Sequence, residues 1–596
     1  MRKILRLACT AFIAGILSGC NDSVDSASAL TSLILCEKLS EYSTTTKTWS
    51  YSGNDISGKK IYLAKVNPTE NVIKNQLYVR SAENVNLNVT SSSRNTADEF
   101  DMNEIITDTD ITTYENSMKM RDSLIIPEEL KVALHTAKIS QSTDLSRGNS
   151  SIEEAYNVGD TRSINVITYY NSTTGDETFS AEESTLYAKT DNVYVWVVER
   201  YKNPYVKNSD GSIERKAVTT EAAENLAKKM EDIYQYICHV EVPKPDKIYD
   251  FESNTSFIAY DMNEYSTTGN KINVVITDCF ASNSETSQTN GTIGVTFLID
   301  LFMGKTDITQ YSNCGNYFYL DSYYSVTDEN ESISTLAHEF QHLLAFNYKV
   351  LAKNSLALLY ETGYNEMLSM LTEDMMSDYL GLTDENKPLQ RLPIFNNYYY
   401  LTGVMEYNSY DNLYLSASYS NAYAFGAWLA RNFGGTKIIH SMTNDEYSGM
   451  ESVQNALKET TGNDYSVSSI LKMYSEALIY DDVSAGYTSL NKDADTGFTY
   501  NGYEYPIEAI DLWDLGSILK KNSNANKKYD GPNYFTANQY SYLRPHGITL
   551  HYLGTVETGA ENITLNFQST GTGETGITIN PEDTKDTNVK YYVMFK

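Results

Sequence analysis

Residues 338–342 read His-Glu-Phe-Gln-His. On a helix, positions four apart share a face, so His338 and His342 present two imidazoles one turn apart with the Glu339 carboxylate beside them. That geometry suits a zinc ion, and it constrains the fold: the five residues must lie on one unbroken helix, packed against elements that carry further donors. Asn330 offers an N-cap for such a helix. Ile333, Leu336, Ala337, Phe340, Leu343 and Leu344 mark its apolar side, and His338 and His342 fall on the other. Two neutral imidazoles leave a zinc ion under-coordinated, because catalytic sites use three protein ligands and a water. A third donor must come from elsewhere in the chain.

The next helical pattern runs from about Tyr364 to Tyr379 and begins far enough beyond His342 for one reversal of direction. It carries Asn365-Glu366-Met367-Leu368-Ser369, so Glu366 is the expected third donor, with Glu361 and Glu373 as competitors for the same task. His135, His239, His440, His546 and His551 show no ligand spacing and read as ordinary residues.

On these residues the chain resembles the gluzincin metallopeptidases, and within them the hyicolysin family. The resemblance rests on Tyr317-Phe318-Tyr319-Leu320-Asp321, on His338-Glu339-Phe340-Gln341-His342-Leu343, and on Glu366-Met367-Leu368-Ser369-Met370 with Glu373-Asp374 beyond. It implies one zinc ion per chain held by His338, His342 and Glu366, Glu339 as general base, and hydrolysis of protein or peptide substrates. Tyr423-Ala424-Phe425-Gly426 looks like the start of the Tyr-x-x-Gly helix that supplies an oxyanion tyrosine in gluzincin aminopeptidases, which makes Tyr423 a candidate and leaves Tyr419, four residues earlier, on the same face. Met370 stands where thermolysin-like enzymes place an Asp behind a ligand imidazole, which leaves that partner open, with Glu373 and Asp374 as candidates. Tyr364 stands where relatives often carry Trp. No Gly-Ala-Met-Glu-Asn segment for a substrate amine is present, which favours an endopeptidase over an aminopeptidase. A binding lipoprotein that keeps the fold without cleaving is the other alternative, and the presence of Glu339 argues against it.

Arg2, Lys3 and Arg6, an apolar run from Leu7 to Leu17, and Ser18-Gly19-Cys20 resemble a bacterial lipoprotein signal with Leu17-Ser18-Gly19-Cys20 as its lipobox. The resemblance implies a leader over 1–19, a lipidated Cys20, and a protein anchored by lipid outside the cytoplasm on the cell envelope, at the outer membrane or the cell surface. Residues 20–50 begin small and polar, as a tether would. No other stretch approaches eighteen uninterrupted apolar residues. The net charge of −32 repels nucleic acid and anionic phospholipid, so no nucleic-acid partner is expected. Among the cysteines there is no Cys-x-x-Cys. An exported location permits a Cys279–Cys314 bridge around the two strands they bracket, with Cys36 and Cys238 as buried thiols.

The expected fold class is α+β. A gluzincin-type core over 161–485, a mixed sheet plus a helical subdomain, is flanked by an N-terminal β-rich region and linker over 51–160 and a C-terminal β-sandwich-like domain over 486–596. Strands are predicted at Ile164 to Tyr169, Val193 to Val198, Ile272 to Thr277, Val295 to Leu301 and Tyr317 to Asp321, then at Ile548 to Tyr552, Ile563 to Phe567, Ile577 to Ile579 and Tyr591 to Phe595. Between Thr219 and Ile237, with Thr220 as its cap, an amphipathic helix is predicted.

Overall fold

A computed structural model describes residues 34–35, 47–88, 128–141, 156–170, 177–206, 214–253, 256–279, 293–383, 386–480, 498–515, 531–538, 541–569 and 589–596, except for isolated positions within these ranges. Cys20, the predicted leader and the strand expected at Ile577 to Ile579 lie outside them. No helix among the described residues is long and apolar enough to cross a membrane.

A six-stranded mixed sheet carries the candidate site. Its strands are β1 (Thr161–Tyr170), β2 (Glu177–Lys189), β3 (Val193–Val198), β4 (Ile272–Thr277), β5 (Gly294–Val295) and β6 (Asn316–Asp321), in spatial order β5-β6-β4-β3-β2-β1. β3, β4 and β6 run parallel at the centre, and β5 closes one edge antiparallel to β6. The central strands are buried at every position, as strands covered on both faces must be. One cover is α1 (Thr220–Val240), which buries Ala223, Leu226, Met230, Ile233 and Ile237 at helical spacing. Its cap is Thr219, whose hydroxyl oxygen accepts the Ala222 N–H, one residue before the expected Thr220.

Two helices follow β6 and pack against each other: α2 (Glu329–Ala345) and α3 (Thr362–Leu380). Asn330 lies inside α2 rather than capping it. α3 ends on Gly381 at φ 69°, a left-handed C-cap that glycine takes without a Cβ clash. The helical body continues through α4 (Asn412–Asn432), α5 (Thr436–Asn444) and α6 (Val467–Tyr480).

Other expectations change as well. The run from Val295 to Leu301 is a strand only in Gly294–Val295; Leu298–Leu301 forms a 3-10 turn. There Asp300 accepts the Asn313 N–H and the Tyr319 hydroxyl, each at 2.6 Å, folding the segment back onto β6. A short apolar run reports burial, and burial alone does not distinguish strand from turn. Cys279 and Cys314 are both free thiols. Cys314 sits at φ 56° and directs its S–H to the Phe302 carbonyl at 3.4 Å rather than toward Cys279.

The β regions expected as two separate units contribute interleaved strands to one sandwich. Lys60–Val66 pairs with Ile548–Val556 on one side and Lys590–Phe595 on the other; in the facing sheet, Lys47–Ser52 and Leu77–Glu83 flank Asn562–Ser569. Alternation decides which way each side chain points. Ile61 and Leu63 face the sandwich interior with Phe567 and Val593, whereas Tyr62, Ala64 and Val66 face the helical body beside α6. The sandwich also abuts the start of α3 through the loop 402–407. Glu406 pairs with Arg544, and a Cβ on Gly363 would come within 2.1 Å of the Met405 carbonyl oxygen.

Candidate metal centre

His338, Glu339 and His342 lie on α2, and Glu366 lies on α3; all four are buried. Glu366 Oε2 is 3.1 Å from His338 Nε2, and Glu366 Oε1 is 3.6 Å from His342 Nε2. One donor atom from each of His338, His342 and Glu366 falls within 4.8 Å of the others. Ligands about 2.1 Å from a tetrahedral zinc lie about 3.4 Å apart, so these separations bracket the required spacing. Burial pushes His342 down to about 3. Its imidazole is therefore neutral at ordinary pH and has a lone pair to give. A buried carboxylate beside neutral imidazoles is costly unless a cation offsets its charge. The donor set thus fits a divalent ion with nitrogen preference.

The far side of each ring is held. His338 Nδ1 donates to Glu373 Oε1 at 2.6 Å, and Ser334 Oγ donates to the other oxygen of Glu373 at 3.0 Å. Glu373 follows Glu366 by seven residues, two turns along the same face, so its carboxylate reaches the ring that a shorter Asp at position 370 would otherwise hold. This settles the open pair in favour of Glu373, since Asp374 turns away to Arg431. For His342, Ser369 Oγ lies 3.0 Å from Nδ1 and donates its own proton to Gln341 Oε1 at 2.5 Å, which leaves it an acceptor for the ring N–H. The Asn365 amide lies 2.9 Å from the same nitrogen, and with its oxygen rather than its nitrogen turned to the ring it would accept that N–H too. Both rings then offer Nε2 to the metal.

We expect Glu373→Gln to weaken zinc binding by about 10- to 100-fold with little change in fold, because the ring loses a charged partner. Competition against a chromogenic chelator reads this directly, and an unchanged affinity would remove Glu373 from the site.

The start of α3 is anchored from below. The Tyr364 hydroxyl donates to the Met442 carbonyl at 3.0 Å and lies 2.6 Å from Ser452 Oγ, and the buried Lys349 ammonium pairs with Asp445 at 2.6 Å. On another face of α3, Thr372 donates to Glu241, whose carboxyl is pushed up to about 8 by burial.

The profile of the peptidase M30 family matches residues 205–508, slightly more than half of the chain, and that span contains His338, Glu339, His342, Glu366 and the residues that hold them. This chain belongs to the peptidase M30 family. It is similar to the neutral metalloprotease ShpI of Staphylococcus hyicus, 23% identical over 392 residues that cover 64% of this chain and 74% of that protein. Membership agrees with the hyicolysin-like resemblance carried by the two helices.

Tyr423 is the expectation that this M30 chain does not meet. It lies in the middle of α4, which begins eleven residues earlier at Asn412, not at a helix start. Gly426 instead lets α4 pack closely on α3: a Cβ there would stand 2.7 Å from Met367 Cγ. Its buried hydroxyl has Asp374 and Arg431 as charged neighbours, and burial followed by Asp374 pushes its pKa well up. Asp374 is eight residues past Glu366, about 12 Å along α3. Tyr423 thus belongs to the Asp374–Arg431 ion pair, at 2.6 Å, rather than to the metal cluster. Tyr419 packs against Tyr407 and beneath Arg391. A residue that the motifs did not single out, Thr296, does reach Glu339: its hydroxyl donates to Glu339 Oε2 at 2.8 Å.

Proposed function

We propose that this chain is a zinc-dependent endopeptidase of the gluzincin type, anchored to the cell envelope through a lipid on Cys20. The observation that carries the reading is the convergence of His338, His342 and Glu366 next to Glu339, with both imidazoles held from behind. Family membership and the similarity to a neutral metalloprotease support the same chemistry.

In this reading His338, His342 and Glu366 hold the ion. When bound, a zinc ion would supply Lewis acidity there, making a water acidic enough to lose a proton near neutral pH and polarising a substrate carbonyl. Glu339 accepts the proton of the attacking water and carries it to the departing amine nitrogen, acting first as base and then as acid. Its burial keeps competing solvent from the carboxyl while the proton is held. Glu373, Ser369 and Asn365 keep the rings in the tautomer that binds. The substrate class is protein or peptide outside the cytoplasm, cut internally, consistent with the missing amine-anchor segment. The strongly negative surface disfavours nucleic acid as a partner.

Internally quenched peptides with blocked termini test this. The expected result is internal cleavage that a chelator abolishes and stoichiometric zinc restores. Cleavage that needs a free amino terminus would instead identify an aminopeptidase, and tight binding without cleavage would identify a non-catalytic binding lipoprotein.

A further inference from the structure

The geometry points to Thr296 as the residue that positions the general base, fixing Glu339 Oε2 so that Oε1 is the oxygen that exchanges the proton. This rests on the proposed role of Glu339 and adds a residue to it.

Three observations carry it. Thr296 follows β5 at the edge of the mixed sheet and is fully buried, as is Glu339. Its hydroxyl lies 2.8 Å from Glu339 Oε2 and 3.1 Å from the Glu339 carbonyl oxygen, so one side chain touches both the carboxylate and the backbone of the same helical residue. The approach of strand to helix is also unusually close. A Cβ on Gly294 would stand 2.4 Å from Thr335 Cγ2 and 3.3 Å from Glu339 Cγ, so any larger residue at 294 would hold the strand away from α2.

A threonine hydroxyl has one proton and two lone pairs. Toward the ionised carboxylate it donates, and a hydrogen bond to a charged acceptor is among the stronger ones. Once Glu339 has gained a proton on Oε1, Oε2 remains an acceptor and the contact persists. Thr296 therefore holds the side chain in one rotamer through both halves of the proton transfer. Freedom of that carboxylate would scatter its orientation, and misplacement of a catalytic group costs turnover more than substrate binding.

The test compares Thr296→Val, Thr296→Ser and Glu339→Gln in the full-length, zinc-loaded protein. Valine keeps the shape and removes the hydroxyl. Thr296→Val is expected to lower kcat by about tenfold or more, leaving KM, zinc per chain and the melting temperature close to wild type. Thr296→Ser is expected to recover most of the loss, and Thr296→Val in the Glu339→Gln background to cause no further loss. A crystal structure of Thr296→Val should show the Glu339 carboxylate displaced. Wild-type kcat in Thr296→Val would overturn the inference while leaving the reading of Glu339 intact, and so would equal losses in Val and Ser, which would mark a packing role. Full activity in Glu339→Gln would overturn the reading of Glu339 itself.

Discussion

Glu339→Gln is expected to lose peptide cleavage by roughly a thousandfold while still binding zinc. The amide keeps the shape of the side chain and the contact with Thr296, but it cannot take a proton from water at neutral pH. Neither metal donor set nor helix is altered, because His338, His342 and Glu366 contact one another without Glu339. The effect should fall on kcat, with KM nearly unchanged, since the lost interaction exists only on the way to the transition state. Zinc content by elemental analysis and rates on a quenched peptide check both halves. Retained turnover would mean that another group takes the proton.

The metal helix was legible in the sequence because its information is local. Five consecutive residues fix the relation of His338, Glu339 and His342, and only the helical period is needed to read it. Glu366 was legible at one remove, through a second periodic segment within reach of a single turn. Its neighbours behind the rings were partly legible: Glu373 was one of two options, and the competing Asp374 is decided by Arg431, more than fifty residues later, which no spacing rule connects to it. Thr296 gave no signal at all. A threonine in an apolar run reads as a strand residue, and only the close approach allowed by Gly294 brings it to Glu339.

Tyr423 shows the opposite failure. A four-residue pattern matched, but helix length and the groove along α3 determine where such a residue lands, and these place it with Asp374 instead. The pairing of the two β regions is not legible in the sequence for a related reason. Alternation in Lys60–Val66 shows that the strand needs partners and which face is which, but its partners lie in Ile548–Val556 and Lys590–Phe595, at the other end of the chain. A physical consequence follows for the site. Residues 47–87 complete a sheet whose Arg544 turn meets Glu406, beside the start of α3, so the segment before the catalytic sheet is part of the scaffold under Glu366.

Glu366 carries the second large effect. Of the three donors it alone comes from α3 and it alone brings negative charge, so removing it deprives the ion of both its third ligand and its charge balance. Shared among three ligands, an apparent zinc binding energy on the order of 12 kcal/mol implies a loss of about 4 kcal/mol, or roughly a thousandfold in affinity. Glu366→Gln preserves volume, and circular dichroism of the variant separates loss of metal from loss of fold. The decisive measurement is zinc per chain for wild type and Glu366→Gln, both dialysed against the same zinc-buffered solution. One zinc in the wild type and almost none in a folded variant is the predicted result; equal zinc in both, or none in either, would contradict a metal centre built from His338, His342 and Glu366.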